Sequence, residues 1–226
     1  MRDCERWVGK GVKILSNPHY DDIDDLFLDT RFMVTPYGAK CMWEMKRRVR
    51  ERYQRPNDFH VFGLTADEGR RIAAFEQRNS DLKLMWVLLE AGITKEDCYR
   101  IIGIADIELP VMYKMGYGHN NCIGCVKGGK GYWNKIRRDF PDVFARRAAV
   151  QREVGCSFGG TNGAFFLDEL DPEAGRDEPP QDIECGPMCR AEYTDADIVG
   201  GAVKTATTRF LPLTLVDVPP PPERLR

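Results

Sequence analysis

Cys122 and Cys125 stand two residues apart in the stretch NNCIGCVKGGKGYW, residues 120–133. A second short-spaced pair, Cys185 and Cys189, follows in ECGPMCR, with 59 residues between the two pairs. Four such thiolates can converge on one tetrahedral zinc, at about 2.3 Å each. The same four can hold an iron–sulfur cluster. A C-x-x-C can also be a redox couple or a plain turn. The metal reading gains from residues 171–192, which are rich in Pro, Gly and acid and poor in apolar side chains. Packing alone does not hold such a segment, whereas a metal can.

Cys41 is a fifth candidate. It precedes a basic helical stretch, and a helix N-terminus lowers a thiol pKa. A site using Cys41, Cys122, Cys125 and one of the late pair would favour a [4Fe–4S] cluster, whereas the two short-spaced pairs also suit zinc. His119, beside the C-x-x-C, is a weak additional ligand candidate. Cys4, Cys98 and Cys156 stand singly and read as packing residues.

The second chemistry is anion binding. Lys46, Arg47, Arg48, Arg50, Arg52 and Arg55 crowd one stretch, and Lys127 and Lys130 flank the glycines after Cys125. Such groups can meet the phosphates of a nucleotide or of nucleic acid. They can also be the solvated face of an ordinary helix. No Walker pattern is present. SFGGTNGA, residues 157–164, reads as a hairpin turning at Asn162–Gly163 rather than as a pyrophosphate loop.

These residues need a scaffold, and the 226 residues, 42% hydrophobic and 30% charged, suit one core with an appendage. The net charge of −2 is uneven. Residues 168–197 carry eleven acids against two arginines, a net of −9, which leaves +7 for the rest. A basic body suits anionic partners. No apolar run reaches the roughly 20 residues of a membrane helix. The N-terminus lacks the apolar core of a signal peptide. The chain therefore reads as cytoplasmic, with no membrane partner.

The pattern predicts helices at 2–8, around Ile23, Leu26 and Phe27, and from Cys41 to Tyr53 with Met42, Met45, Val49 and Tyr53 as the apolar stripe. Strands are predicted at Val12–Leu15, Phe59–Leu64 and Leu82–Leu89. Thr65 with Glu68, and Thr94 with Asp97, form capping boxes that start two more helices. A short helix follows Pro110, and two more span 132–140 and 141–154. A strand is expected in FLDEL, residues 166–170. Strands alternating with helices imply an α/β fold. The expected division is 1–155 for the α/β domain, 156–200 for the hairpin and acidic cysteine segment, and 201–226 for an extended tail.

The runs TRFMVTPYGAKCMWEMKRRVRERYQRPNDFHVFGLTADEGRRIAAF and HNNCIGCVKGGKGYWNKIRRDFPDVFARRA resemble the phosphoadenosine phosphosulfate (PAPS) reductase family. The branch they resemble is the C-x-x-C-bearing one of phages and bacterial accessory genes, related to the sulfur-transfer enzymes of DNA phosphorothioation. The similarity covers roughly residues 2–195. It implies a Rossmann-like adenine nucleotide α-hydrolase layer and nucleotide-dependent sulfur or sulfonucleotide transfer. Gly63, Asp67, Glu68 and Arg71 then match the family's loop near the nucleotide, Cys41 its cysteine before the basic helix, and Cys122 and Cys125 its C-x-x-C. The late cysteine pair matches its C-terminal ending. The family's first strand and Ser-Gly-Gly-x-Asp-Ser loop would lie upstream of Met1, Val87 stands where the family often has proline, and no Glu-Cys-Gly-x-His-like ending is present. The cysteine spacing implies zinc or a [4Fe–4S] cluster as cofactor. An adenine nucleotide, nucleic acid or a second copy of the chain is left as partner. A truncated enzyme and a metal-stabilised binding module without catalysis both fit.

Overall fold

A computed structural model describes residues 2–35, 38–159 and 163–175. Helix α1 spans Arg2–Val8 and ends at Gly9, which adopts the left-handed φ that stops a helix. Helix α2, Ile23–Thr30, is capped by Asp22, whose carboxylate accepts the N–H groups of Asp24 and Asp25. A two-residue antiparallel ladder, β1 (Val34–Thr35) with β2 (Gly38–Ala39), leads into α3 (Lys40–Met42). A π turn, Trp43–Arg47, joins α3 to α4, Arg48–Tyr53. Then come β3 (Phe59–Val61), a 3₁₀ turn (Ala66–Glu68), α5 (Gly69–Arg78) and β4 (Lys83–Met85). Helices α6 (Val87–Glu90), α7 (Lys95–Ile104), α8 (Val111–Lys114), α9 (Lys130–Asp139) and α10 (Pro141–Val154) follow, and a 3₁₀ turn at Leu167–Glu169 closes the described chain.

The described residues separate into two compact units. The first comprises 2–14 and 55–109. Its centre is a β–α–β motif: β3 and β4 pair in parallel, Phe59 with Lys83 and Val61 with Met85, and α5 connects them. Ile72 and Phe75 on α5 pack with Leu64, Leu84 and Trp86 in its core. The opposite strand positions, Phe59 and Val61, are 64% and 57% exposed.

The second unit comprises 15–54 and 110–175 among the described residues, and it holds the larger core. Leu26 and Phe27 of α2, Met33, Trp133 and Ile136 of α9, Phe158 and Leu167 are fully buried there. Trp133 stacks on Phe158 with centroids 5.6 Å apart and meets Tyr132 edge-on. Helix α10 contributes Ala148 and Val150 but also buries Arg147 and Gln151. The Arg147 guanidinium pairs with Asp24 of α2. The Gln151 amide accepts the Leu167 N–H at 2.8 Å and donates to the Phe165 carbonyl at 3.1 Å.

The structure is thus mixed α/β, with a parallel sheet of two strands among the described residues. A typical sheet has about four to six. Several expectations need correction. Val12–Leu15 is irregular, with Val12 47% and Ile14 69% exposed, because no described strand pairs with it. The strand expected at Leu82–Leu89 stops at Met85. Trp86 turns inward, its indole N–H donating to Glu76 at 2.7 Å, and the helix-forming VLLE continues as α6. FLDEL is a 3₁₀ turn rather than a strand, held by Gln151 and by Arg152, which grips Asp168 at 2.7 Å and also Glu169. The expected hairpin is an isolated bridge, Phe158 with Phe165, and its tip at 160–162 lies outside the described residues. On the basic helix, Met42 and Val49 are buried as expected, but Tyr53 is exposed because the last turn, residues 51–53, runs clear of the core.

Candidate functional site

The C-x-x-C lies in the turn that feeds α9. Gly124, between the cysteines, has φ +72, a left-handed conformation that a side chain would strain, and a Cβ there would press on Val143. Tyr132, one turn into α9, closes the loop. Its hydroxyl accepts the Cys125 N–H at 2.9 Å and donates to the Cys122 carbonyl at 3.1 Å. Burial raises the Tyr132 pKa above the ordinary phenol value, so the hydroxyl keeps the proton it donates. Gly128 makes room for this arrangement: a Cβ there would overlap the Tyr132 ring. Its N–H donates to the Cys125 carbonyl at 2.9 Å. The thiol of Cys125 is buried and that of Cys122 exposed.

Asn134, two residues beyond Tyr132, reaches the chain near its last described residue. Its Nδ2 donates to the Asp171 carbonyl at 2.9 Å and the Ala174 carbonyl at 2.8 Å. Gly175 follows with φ +96, and a Cβ there would overlap the backbone of Gly131. Arg137 donates to the carbonyls of Leu167 (3.2 Å) and Leu170 (2.8 Å). Residues 167–175 are therefore laid along α9, with Gly175 at its first turn. Cys185 and Cys189 themselves lie outside the described residues. Neither Tyr132 nor Asn134 was singled out by sequence reasoning. The available signal was a glycine four residues before an aromatic one, Gly128 to Tyr132, directly after the C-x-x-C.

Cys41 sits in the first turn of α3, half-buried against the core of the same unit. Among the described residues, no three His, Cys, Asp or Glu side chains converge as a metal would require, so the C-x-x-C is joined there neither by Cys41 nor by His119. It supplies two sulfur donors. A tetrahedral zinc or a cluster needs about four.

The residues matched to a nucleotide loop all sit in the first unit, beyond the carboxyl end of β3. Gly63 has open space around it, with nothing within 4 Å of where a Cβ would stand. Glu68 accepts the Thr65 N–H at 2.9 Å and its hydroxyl at 3.0 Å, completing the capping box, and also pairs with Arg71. Asp67 accepts the Lys95 N–H at 3.2 Å, and its bond with the Thr65 side chain lowers its pKa. Glu68 and Asp67 thus already serve the turn and the start of α7.

On the basic helix, Arg47 and Arg50 approach Glu51 at 2.7 and 3.9 Å, and Arg48 approaches the buried Glu44 at 3.1 Å. Asn17 donates to the Glu44 carbonyl at 3.1 Å, a side-chain donor fitted into the widened π turn. Arg47 also lies over the Trp43 ring at 4.7 Å.

Comparison with protein-family models, with curated proteins and with solved structures found no match. Among the described residues, no helix is long and apolar enough to cross a membrane.

Proposed function

We propose that this chain is a PAPS reductase-like, nucleotide-dependent sulfur-transfer protein. Its Cys122–Cys125 turn would bind zinc or a [4Fe–4S] cluster together with Cys185 and Cys189. The observation that carries the reading is the C-x-x-C turn itself. Its backbone is fixed by the Tyr132 hydroxyl and by Gly128, so both sulfurs are presented from a rigid base. Cys185 lies within reach of the turn, because nine residues separate it from Gly175 and ten steps of chain span up to about 35 Å. Zinc there would anchor the acidic segment, and a cluster would add one-electron chemistry.

An adenine nucleotide would meet the loop after β3, around Gly63 and Arg71. The parallel β3–α5–β4 motif supports this, since ligands of such sheets bind outside the carboxyl ends of the strands. Elemental analysis of anaerobically purified protein tests the metal. About one zinc per chain, or about four irons with visible absorbance, is the expected result; neither metal would end the reading. Calorimetry with ATP and PAPS tests the nucleotide.

A second reading is a metal-stabilised module that binds nucleic acid or a partner without catalysis. The engagement of Glu68 and Asp67 in the cap and turn favours it. In that case ATP and PAPS leave no binding heat, and nucleic-acid affinity falls steeply with salt. Charge reversal at Arg47 and Arg50 then weakens the complex.

A further inference from the structure

We infer that Cys122 and Cys125 form a thiol–disulfide exchange centre, which reduces accessible disulfides with Cys122 as the attacking thiol and Cys125 as the resolving one. The inference goes beyond the reading above, because it needs only these two thiols and no metal. A C-x-x-C does this chemistry when the chain between the cysteines folds back, one sulfur is open to substrate and the other is kept from it.

The first condition is met by the backbone. Residues 123–124 form a turn between the cysteines, and Gly124, third of its four residues, has φ +72, the left-handed value that suits glycine there. A β-turn brings its first and fourth Cα atoms within about 7 Å, and a disulfide spans Cα atoms about 4.4–6.8 Å apart. The Tyr132 hydroxyl keeps the turn closed, since one oxygen atom bonds both the Cys125 N–H and the Cys122 carbonyl.

Exposure meets the other two. Cys122 is exposed, whereas Cys125 is 5% exposed, flanked by the buried Val126 and packed in the core beside Ile123. A substrate disulfide therefore meets Cys122 first. The Cys122 thiolate attacks one of its sulfurs, the substrate S–S bond breaks, and the other substrate sulfur leaves as thiolate and takes up a proton. Cys125 then gives its proton to solvent and attacks the Cys122 sulfur. The mixed disulfide breaks, the Cys122–Cys125 bond forms, and the second substrate sulfur leaves and is protonated. The substrate gains two electrons and two protons, and the C-x-x-C loses them. Two molecules of a thiol such as glutathione restore the dithiol and become glutathione disulfide.

The turn decides which thiol resolves the mixed disulfide. Even a short flexible linker gives an effective concentration of about millimolar, and a closed turn gives more. Cys125 thus outcompetes free glutathione below about 1 mM.

The test uses the full chain, as purified and after stripping with a chelator, and its Cys122→Ser and Cys125→Ser variants. Circular dichroism checks that each is folded. Each is incubated with glutathione disulfide at pH 8, quenched, alkylated and cut with trypsin, which places both cysteines on one peptide, residues 115–127. Reduction of bis(2-hydroxyethyl) disulfide by glutathione is followed in parallel, as is zinc and iron content.

The stripped, unaltered protein should form a disulfide within peptide 115–127, seen by mass spectrometry as the loss of two hydrogens. Cys125→Ser should instead retain glutathione on Cys122, and Cys122→Ser should leave Cys125 unmodified. The unaltered protein should speed the reduction of bis(2-hydroxyethyl) disulfide, and Cys122→Ser should lose that effect. No internal disulfide in the stripped protein, or no gain in rate, overturns the proposal, and these two results need no variant. Equal modification of the single cysteine in the two variants overturns the assignment of attacking and resolving thiols. The two ideas fail separately. Protein that carries metal but, once stripped, forms no internal disulfide keeps the metal and loses the exchange centre. Protein that exchanges disulfides and carries no metal keeps the exchange centre and loses the metal.

Discussion

The Tyr132 hydroxyl accepts the backbone N–H of Cys125 at 2.9 Å, across seven residues of chain, and so makes the C-x-x-C turn a fixed feature rather than a loose loop. Tyr132→Phe keeps the ring and its edge-on contacts with Tyr117 and Trp133 but leaves the amide of a buried cysteine without this acceptor. An unsatisfied buried N–H costs about 1–3 kcal/mol. Urea denaturation should show a loss in that range, and the Cys125 thiol should react faster with a disulfide reagent. Unchanged stability and reactivity would mean that the hydroxyl is incidental.

Gly128→Ala places a methyl group into the Tyr132 ring. Overpacking of this kind costs about 1–3 kcal/mol. Gly129→Ala, one residue on, finds nothing within 4 Å and serves as the control. The expected outcome is a lower midpoint for the first variant and a much smaller change for the second.

The α2–α10 contact is an ion pair, Asp24 with Arg147, inside the second unit. Burial raises the Asp24 pKa and lowers that of Arg147, in each case against the pull of the partner. Both directions say that desolvation outweighs pairing. Arg147→Met alone leaves the Asp24 carboxylate with the exposed Arg146, whose Nε lies 3.0 Å away, so it should cost less than the roughly 3 kcal/mol of a fully stranded buried charge, whereas the double variant with Asp24→Leu should recover most of that loss. A double-mutant cycle by denaturant unfolding measures the coupling. Additive losses would contradict the argument.

The helix caps of the first unit predict its acid sensitivity. Backbone bonding from Thr94 depresses the Asp97 pKa, and the Thr65 side chain depresses that of Asp67. A depressed folded pKa gives stability that is present above the unfolded value, about 3.9, and is lost as pH falls through the lower folded value. The first unit should thus weaken below about pH 4. Asp97→Asn should flatten that dependence, as followed by amide exchange along α7.

Much of the scaffold was legible because it is local. Ile23, Leu26 and Phe27 announce α2 by spacing, Thr65–Glu68 and Thr94–Asp97 announce two helix starts, and Pro141 separates α9 from α10. The strands at Val12–Leu15 and Leu82–Leu89 misled because an apolar run does not say whether a neighbour exists to pair with it. Arg147 and Gln151 are polar side chains that helical spacing alone does not mark as buried. Their burial depends on Asp24, Phe165 and Leu167, and on nothing in their own helix. Tyr132, which bonds the backbone of the C-x-x-C turn, and Asn134, which bonds the carbonyls of Asp171 and Ala174, act through backbone groups that leave no mark on composition.

The parallel pair β3–β4 has a consequence for solubility. Among the described residues each strand has one neighbour, so each keeps an open edge, with Phe59 and Val61 on the bare face. Such an edge is a template for intermolecular pairing, and natural sheets blunt it with charge. Here Asp58 precedes β3, and Lys83 lies across from Phe59 with its ammonium 5.7 Å from that ring and 3.1 Å from the Asn57 side chain. Lys83 is thus a gatekeeper. Lys83→Val would leave the fold of α5 and its core intact yet bring the protein out of solution at lower concentrations, as light scattering during concentration would record.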